Sequence, residues 1–187
     1  MKQFPKFPYW DYFLLSARIL LAWTLYRYGW AKLTDSQFGV DDKTMNTALK
    51  DIDVFSVSWY LADHQPFKAF IGISQILCAL LLTFNRTVVV GAFVSIPIWL
   101  NILMWDLTFM KGMTVAFTFR LSYYLILTGL IIYHQKDKVF PAVISVTEKN
   151  SSTKFPLWTY VILPITAIGI ELIGAIPNAV LYYLRSL

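Results

Sequence analysis

The chain is 187 residues long, 57% hydrophobic and only 14% charged, with a mean hydropathy of +0.56, against the roughly 25% charged residues of a soluble domain. That composition excludes a soluble globular protein and points to one that crosses a membrane several times. The net charge of +5 does not point to nucleic acid, because Lys and Arg are scattered rather than gathered into a stripe; anionic headgroups are the simpler partner.

The first apolar run, 11–33, follows Lys2 and Lys6 and carries Arg18, Arg27 and Lys32. It is too long for a secretory signal and no small-residue cleavage site closes it, so an uncleaved first span is expected. At 100° per residue Arg18, Ala22, Leu25, Gly29 and Lys32 share one face, and Arg27 shares roughly the opposite face with Trp23 and Trp30. Charges inside a span are costly and mark a buried partner or a cavity. With 17% aromatic residues, including seven Trp and eleven Tyr, most rings are expected to anchor the interfaces.

Residues 34–65 form a polar, acidic extramembrane loop, in which 54–61 is apolar enough to lie in the interface or cap the bundle. A second span is expected over 66–84, opened by Pro66. Asn85, Arg86 and Thr87 then make a tight turn into a third span, 88–109, where Gly91 and Ser95 permit close helix contact and Pro97 is expected to kink the helix. Lys111 and Gly112 turn the chain into a fourth span, 113–133. A basic connection over 134–155 leads to a fifth apolar stretch, 157–184, longer than the roughly 20 residues a span needs. Cys78 is the only cysteine and lies in an apolar run, which reads as a buried structural thiol. Lys and Arg divide almost evenly between the two sides, with a slight excess that places the N-terminus in the cytoplasm.

Depth along these spans puts Arg27, Gln75, Asn101, Asp106 and Arg120 in the half nearer the acidic loop, with Arg18 and Glu171 closer to the middle. Two arrangements satisfy them. Asp106 pairs with Arg120 or Arg27, and Glu171 with Arg18, simply closing the bundle. Alternatively, an excess of Arg over carboxylate lines a pocket for a quinone-like or lipid-like molecule or a small anion. The two His residues, His64 and His134, fall in the loop and at a span end, which argues against a transmembrane haem. No metal-binding motif, phosphate-binding Gly loop or dinucleotide fingerprint is present, and no catalytic residue stands out.

The pattern Arg18, Gly29, Lys32, Leu33, followed by HQPFKAFIGISQ (64–75) and LLLTFNRT (80–87), resembles the DoxX family of small, mostly four-span bacterial and archaeal membrane proteins, over about residues 12–133. Arg18, Gly29 and Lys32 match its first-span pattern; Gly72 and Arg86 match the glycine of the second span and the basic turn after it. Where many relatives carry a carboxylate after that glycine, this chain has Gln75, which can accept a hydrogen bond from Arg18 but cannot neutralise it. The resemblance implies a four-helix membrane bundle, with some relatives serving as subunits of a thiosulfate:quinone oxidoreductase and others as membrane partners of redox-stress enzymes.

The expectation is therefore an all-α membrane protein of the bacterial cytoplasmic membrane: a four-helix transmembrane bundle plus a fifth C-terminal hydrophobic helix, in one domain over 1–187. A membrane subunit linked to quinone-dependent or other redox chemistry is the first functional reading. An accessory subunit of a larger membrane assembly and a lipid-binding or transport protein are the others, and whether the chain is an enzyme stays open. The expected ligand-site residues are Arg18, Arg27, Lys32, Gln75, Asn101, Asp106, Arg120 and Glu171. The chain has no cofactor of its own and no metal; a quinone or lipid is the candidate ligand. Its expected partners are the bilayer and other membrane or envelope subunits, or a second copy.

Overall fold

The computed structural model describes residues 8–110, 114–148 and 155–185. Among them the regular elements are helices: α1 (Tyr9–Leu33), α2 (Asp42–Met45), α3 (Val54–Ala62), α4 (Phe67–Thr83), α5 (Val88–Phe109), α6 (Thr114–His134), α7 (Lys136–Thr147) and α8 (Leu157–Arg185), with a 3-10 turn at Leu49–Asp51. The chain divides into two compact units, the first ending at Ile144 and the second beginning at Ser145.

In the first unit α1 packs on α4, α4 on α5, α5 on α6 and α6 back on α1, which closes a ring of four helices. The four-residue link between Thr83 and Val88 makes α4 and α5 an antiparallel hairpin, with the Thr87 hydroxyl donating to the Leu81 carbonyl at 2.8 Å. α1 is antiparallel to α4. Arg18 meets Thr83 at one level and Gly29 meets Gly72 at another. The bundle thus has a hairpin end, where His134 Nε2 lies 3.4 Å from Asp11 Oδ1, and a loop end, where the 34–66 segment sits.

Apolar burial does not drive helices together in lipid, since tails are as apolar as leucine; close packing at small residues does. The structure shows this at two places. A Cβ at Gly29 would lie 2.5 Å from the Gly72 carbonyl oxygen, and one at Gly91 would lie 2.7 Å from the Leu82 backbone nitrogen. These contacts bring α1 and then α5 against α4, so that Leu21, Leu25, Leu82, Trp99, Leu121 and Leu127 are fully buried between them. Cys78 is buried there too, its thiol 3.4 Å from the Gly91 carbonyl oxygen. The opposite face of α1 carries Trp23, Tyr26 and Trp30, stacked in sequence at 5.8 and 6.1 Å, all exposed as an aromatic belt requires.

Among the described residues three helices can cross a membrane by length and composition: Val88–Phe109, Val115–His134 and Leu157–Gly174. α3 and α4 pass that test only together, bent by 80°. α4 alone has 17 residues, about 25 Å, and α3 turns away from its N-terminal end. α1, at 25 residues, is long enough, but its charges and its Trp and Tyr residues keep it less apolar; it earns its place by packing. α5 runs unbroken through Pro97. The expected turn at Lys111 and Gly112 lies outside the described residues, as does the polar run 149–154. Within the basic connection after the fourth span lies a helix, α7, over Lys136–Thr147, where apolar residues recur at helical spacing in KDKVFPAVISV.

The loop end is ordered by polar contacts. α1 finishes with a Ser36 N–H to Ala31 carbonyl bond of 2.9 Å and with Asp35 in the left-handed region at φ 54°, a conformation an aspartate tolerates. From there the Asp35 carboxylate accepts from Lys68, as does Asp63, so one buried ammonium ties the ends of α1, α3 and α4. Asp41 caps α2 and Asp53 caps α3, accepting from the Thr44 and Ser56 backbone N–H groups at 2.9 and 3.0 Å.

Candidate functional site: an intramembrane cavity at the loop end

Between the four helices, below α3, the first unit holds a half-open cavity of about 900 Å³, near the upper end of the range for small-molecule sites. Its polar wall is built from three helices. α1 contributes Thr24, Tyr28 and Lys32, spaced i, i+4, i+8 on one face, with Arg27 beside them; α4 contributes Gln75, and α5 contributes Asn101, Trp105 and Asp106. Arg120 closes the α6 side, its Nε donating to the Tyr124 hydroxyl at 2.8 Å and its guanidinium lying over the same ring.

Four of these polar side chains are deeply buried: Thr24 is 6% exposed, Lys32 5%, Asp106 7% and Gln75 1%. Lys32 Nζ donates to Gln37 Oε1 at 2.9 Å and to the Tyr28 carbonyl at 3.3 Å, and lies 5.0 Å from the centre of the Phe38 ring. Gln75 Oε1 has no hydrogen-bond partner, nor has Trp105 Nε1, although both atoms are buried. Buried polar groups are paired in nearly all native structures, and a buried orphan asks for an explanation. Among the described residues the ion pairs are Lys68–Asp35, Lys68–Asp63 and His134–Asp11. The expected pairing of Asp106 with Arg120 or Arg27 is therefore absent, and the four charges face the cavity without closing on one another.

Phe38 roofs this space. Among the described residues it is one of two non-glycine residues with positive φ, at 73°, a strained conformation for an aromatic residue. Its ring meets Trp59 of α3 edge-on at 5.9 Å and Trp105 of α5 at 6.4 Å. Opposite the polar wall, Phe55, Trp59, Phe67 and Phe70 supply an apolar one, and Phe67 and Phe70 are exposed at its rim.

Of the eight expected site residues, the structure brings Arg27, Lys32, Gln75, Asn101, Asp106 and Arg120 around this cavity. It does not bring Arg18 there. Arg18 lines a separate space of about 110 Å³ with Asp11 and His134 at the hairpin end, where it donates to the Thr83 carbonyl at 3.2 Å, one of the orphan acceptors of the α4 C-terminus. The expected Arg18–Gln75 hydrogen bond is accordingly absent: the two residues stand on different levels of the antiparallel pair. Glu171 belongs to α8, in the second unit, with its side chain exposed. Residue-by-residue reading missed the aromatic wall, having taken the rings as anchors. The Thr24, Tyr28, Lys32 spacing and the Trp105–Asp106 neighbourhood were the signals available.

The profile of the DoxX family matches residues 13–106, half of the chain, from α1 through Asp106 on the cavity wall. The chain belongs to the DoxX family. The match stops short of α6, so the resemblance is narrower than the 12–133 expected from motifs. Within DoxX, the chain is similar to the uncharacterized protein YwoB of Bacillus subtilis (strain 168), 32% identical over 96 residues, covering 51% of this chain and 61% of that relative. No solved structure matches. The DoxX stretch contains Gly29 and Gly72, whose contact joins α1 to α4, and five of the cavity's polar residues: Arg27, Lys32, Gln75, Asn101 and Asp106.

Proposed function

We propose that this DoxX protein binds an amphiphilic small molecule of the quinone or lipid class inside its bundle, and that it works as the membrane-embedded binding subunit of a redox partner. One observation carries the reading: a cavity of about 900 Å³ lined by the buried side chains of Lys32, Gln75 and Asp106, with Gln75 Oε1 lacking a partner. A polar head satisfies that wall, and an apolar body lies along the rings of Phe55, Trp59 and Phe67. The chain supplies binding and orientation. Any electron transfer belongs to the bound molecule and the partner, since the one thiol is buried in the helix packing.

The test is native mass spectrometry of detergent-purified protein, with released molecules identified, on wild type, Gln75→Leu and Arg18→Ala. A stoichiometric small molecule held by wild type and Arg18→Ala but lost from Gln75→Leu supports the site. Bulk phospholipid alone in all three removes it. A second reading, an accessory subunit of a membrane assembly, draws on α8, whose described side chains from Leu157 to Gly174 are nearly all exposed. Stoichiometric co-purification of another membrane protein, lost on deleting α8, would favour it.

A further inference from the structure

The cavity's charges narrow the class of ligand, an inference that rests on the binding reading above. Arg27, Lys32 and Arg120 against Asp106 leave a formal excess of two positive charges among its lining residues. Lys32 is already hydrogen-bonded to neutral groups, and Arg120 to a phenol, so no protein carboxylate answers that excess. Arg27 and Arg120 are exposed at the rim while Lys32 is buried, and all three attract a bound anion. Guanidinium groups at the rim are suited to phosphate or carboxylate oxygens.

The buried amide of Gln75 adds a second requirement. Its partnerless oxygen takes a proton donor, and its nitrogen gives protons. A hydroxyl satisfies an amide in either orientation, whereas a bare phosphate diester or a carboxylate satisfies only the donor side. The third requirement is apolar: Phe67 and Phe70 open the cavity sideways at the edge of α4. At about 900 Å³ the space takes a headgroup with the first part of a chain, not a whole two-chain lipid, so the remainder leaves through that rim.

We propose that the cavity is a seat for an acidic amphiphile whose head also carries a hydroxyl, of the phosphatidylglycerol type. The acidic group sits among Arg27, Lys32 and Arg120, and the hydroxyl sits against Gln75. The tail passes out between Phe67 and Phe70 into the bilayer.

The test uses the full chain, delipidated in neutral detergent, with retention read by native mass spectrometry and thermal stabilisation on adding phosphatidylglycerol, phosphatidylmethanol, phosphatidylcholine, a short-chain ubiquinone or inorganic phosphate. Phosphatidylglycerol is expected to bind one per chain, and phosphatidylmethanol, equally charged without the hydroxyl, more weakly. Gln75→Leu should erase that difference and drop both lipids below one per chain. Arg27→Gln and Arg120→Gln should each weaken phosphatidylglycerol on the order of tenfold, the effect of one charge within about 10 Å at an effective dielectric near 20. Asp106→Asn should strengthen it by a similar factor, a gain that a misfolded variant cannot produce. Equal binding of phosphatidylcholine, or indifference to all four substitutions, overturns the proposal, as does inorganic phosphate matching the lipid. Tight ubiquinone binding lost in Gln75→Leu, without charge dependence, overturns this ligand class while keeping the binding reading; no stoichiometric binding of anything overturns both.

Discussion

Replacing Gly29 by alanine tests whether the α1–α4 contact sets the bundle. The added Cβ would lie 2.5 Å from the Gly72 carbonyl oxygen, 2.8 Å from Ile76 Cγ1 and 3.2 Å from Gln75 Cβ. The first of these neighbours is backbone and cannot rotate away. Restoring ordinary contact to that oxygen moves the helices apart by roughly 0.9 Å, and overpacking of this kind costs about 1–3 kcal/mol. Alanine's better helix propensity returns about 1 kcal/mol, so the net loss is up to about 2 kcal/mol. Gly129 on α6 is the matched control. A Cβ there meets nothing within 4 Å, so Gly129→Ala should be neutral or stabilise by up to about 1 kcal/mol. Thermal unfolding in detergent, followed by circular dichroism, compares the two. Gly29→Ala as stable as Gly129→Ala would refute the packing argument. Because Lys32 and Gln75 flank the Gly29–Gly72 contact, Gly29→Ala should also weaken ligand retention, while Gly129→Ala leaves it unchanged.

Lys68→Gln removes the ammonium that ties α1, α3 and α4, and should lower stability by about 1–2 kcal/mol, against under about 1 kcal/mol for Asp35→Ala, whose carboxylate is mostly exposed; paired melts of the two variants decide it. The Thr44 and Ser56 hydrogen bonds hold the Asp41 and Asp53 carboxyls below the usual carboxylate range. Their caps therefore contribute fully above about pH 4 and are lost as pH falls through the lowered values. Trp59 fluorescence should report that loss in wild type, and Asp53→Ala should show the acid signal already at neutral pH. Phe38→Gly relieves about 1 kcal/mol of backbone strain but gives up the ring contacts with Trp59 and Trp105 and unroofs the cavity, so it should speed ligand release at a net cost in stability of about 1–3 kcal/mol; unchanged or slower release would contradict the roof.

Much of this architecture can be read from the residues. Apolar runs of span length mark α1, α4, α5 and α6 to within a residue or so, because a bilayer demands runs of that length. Depth along the runs groups Arg27, Gln75, Asn101, Asp106 and Arg120 at one end, and the Gly29 and Gly72 motif positions mark where two backbones touch. What a single strand of residues does not carry is the relative level of antiparallel helices. Arg18 reads as central when counted along α1, yet it meets the last turn of α4 at the hairpin end. Counter-charge is equally invisible: Asp106 and Arg120 look like natural partners by depth, yet no ion pair forms between them. The aromatic wall is hidden for a different reason. A ring that lines a cavity and one that anchors an interface have the same chemistry, and only the fold of the 34–66 segment brings Phe38 over Lys32.

The most direct test of a ligand-binding bundle is an experimental density map of the full chain purified from its own membrane without added ligand. The account predicts continuous non-protein density starting between Lys32, Gln75 and Asp106 and leaving past Phe67 and Phe70, absent from a Gln75→Leu map. A map in which side chains fill that space, with Asp106 paired to Arg27 or Arg120, would contradict it.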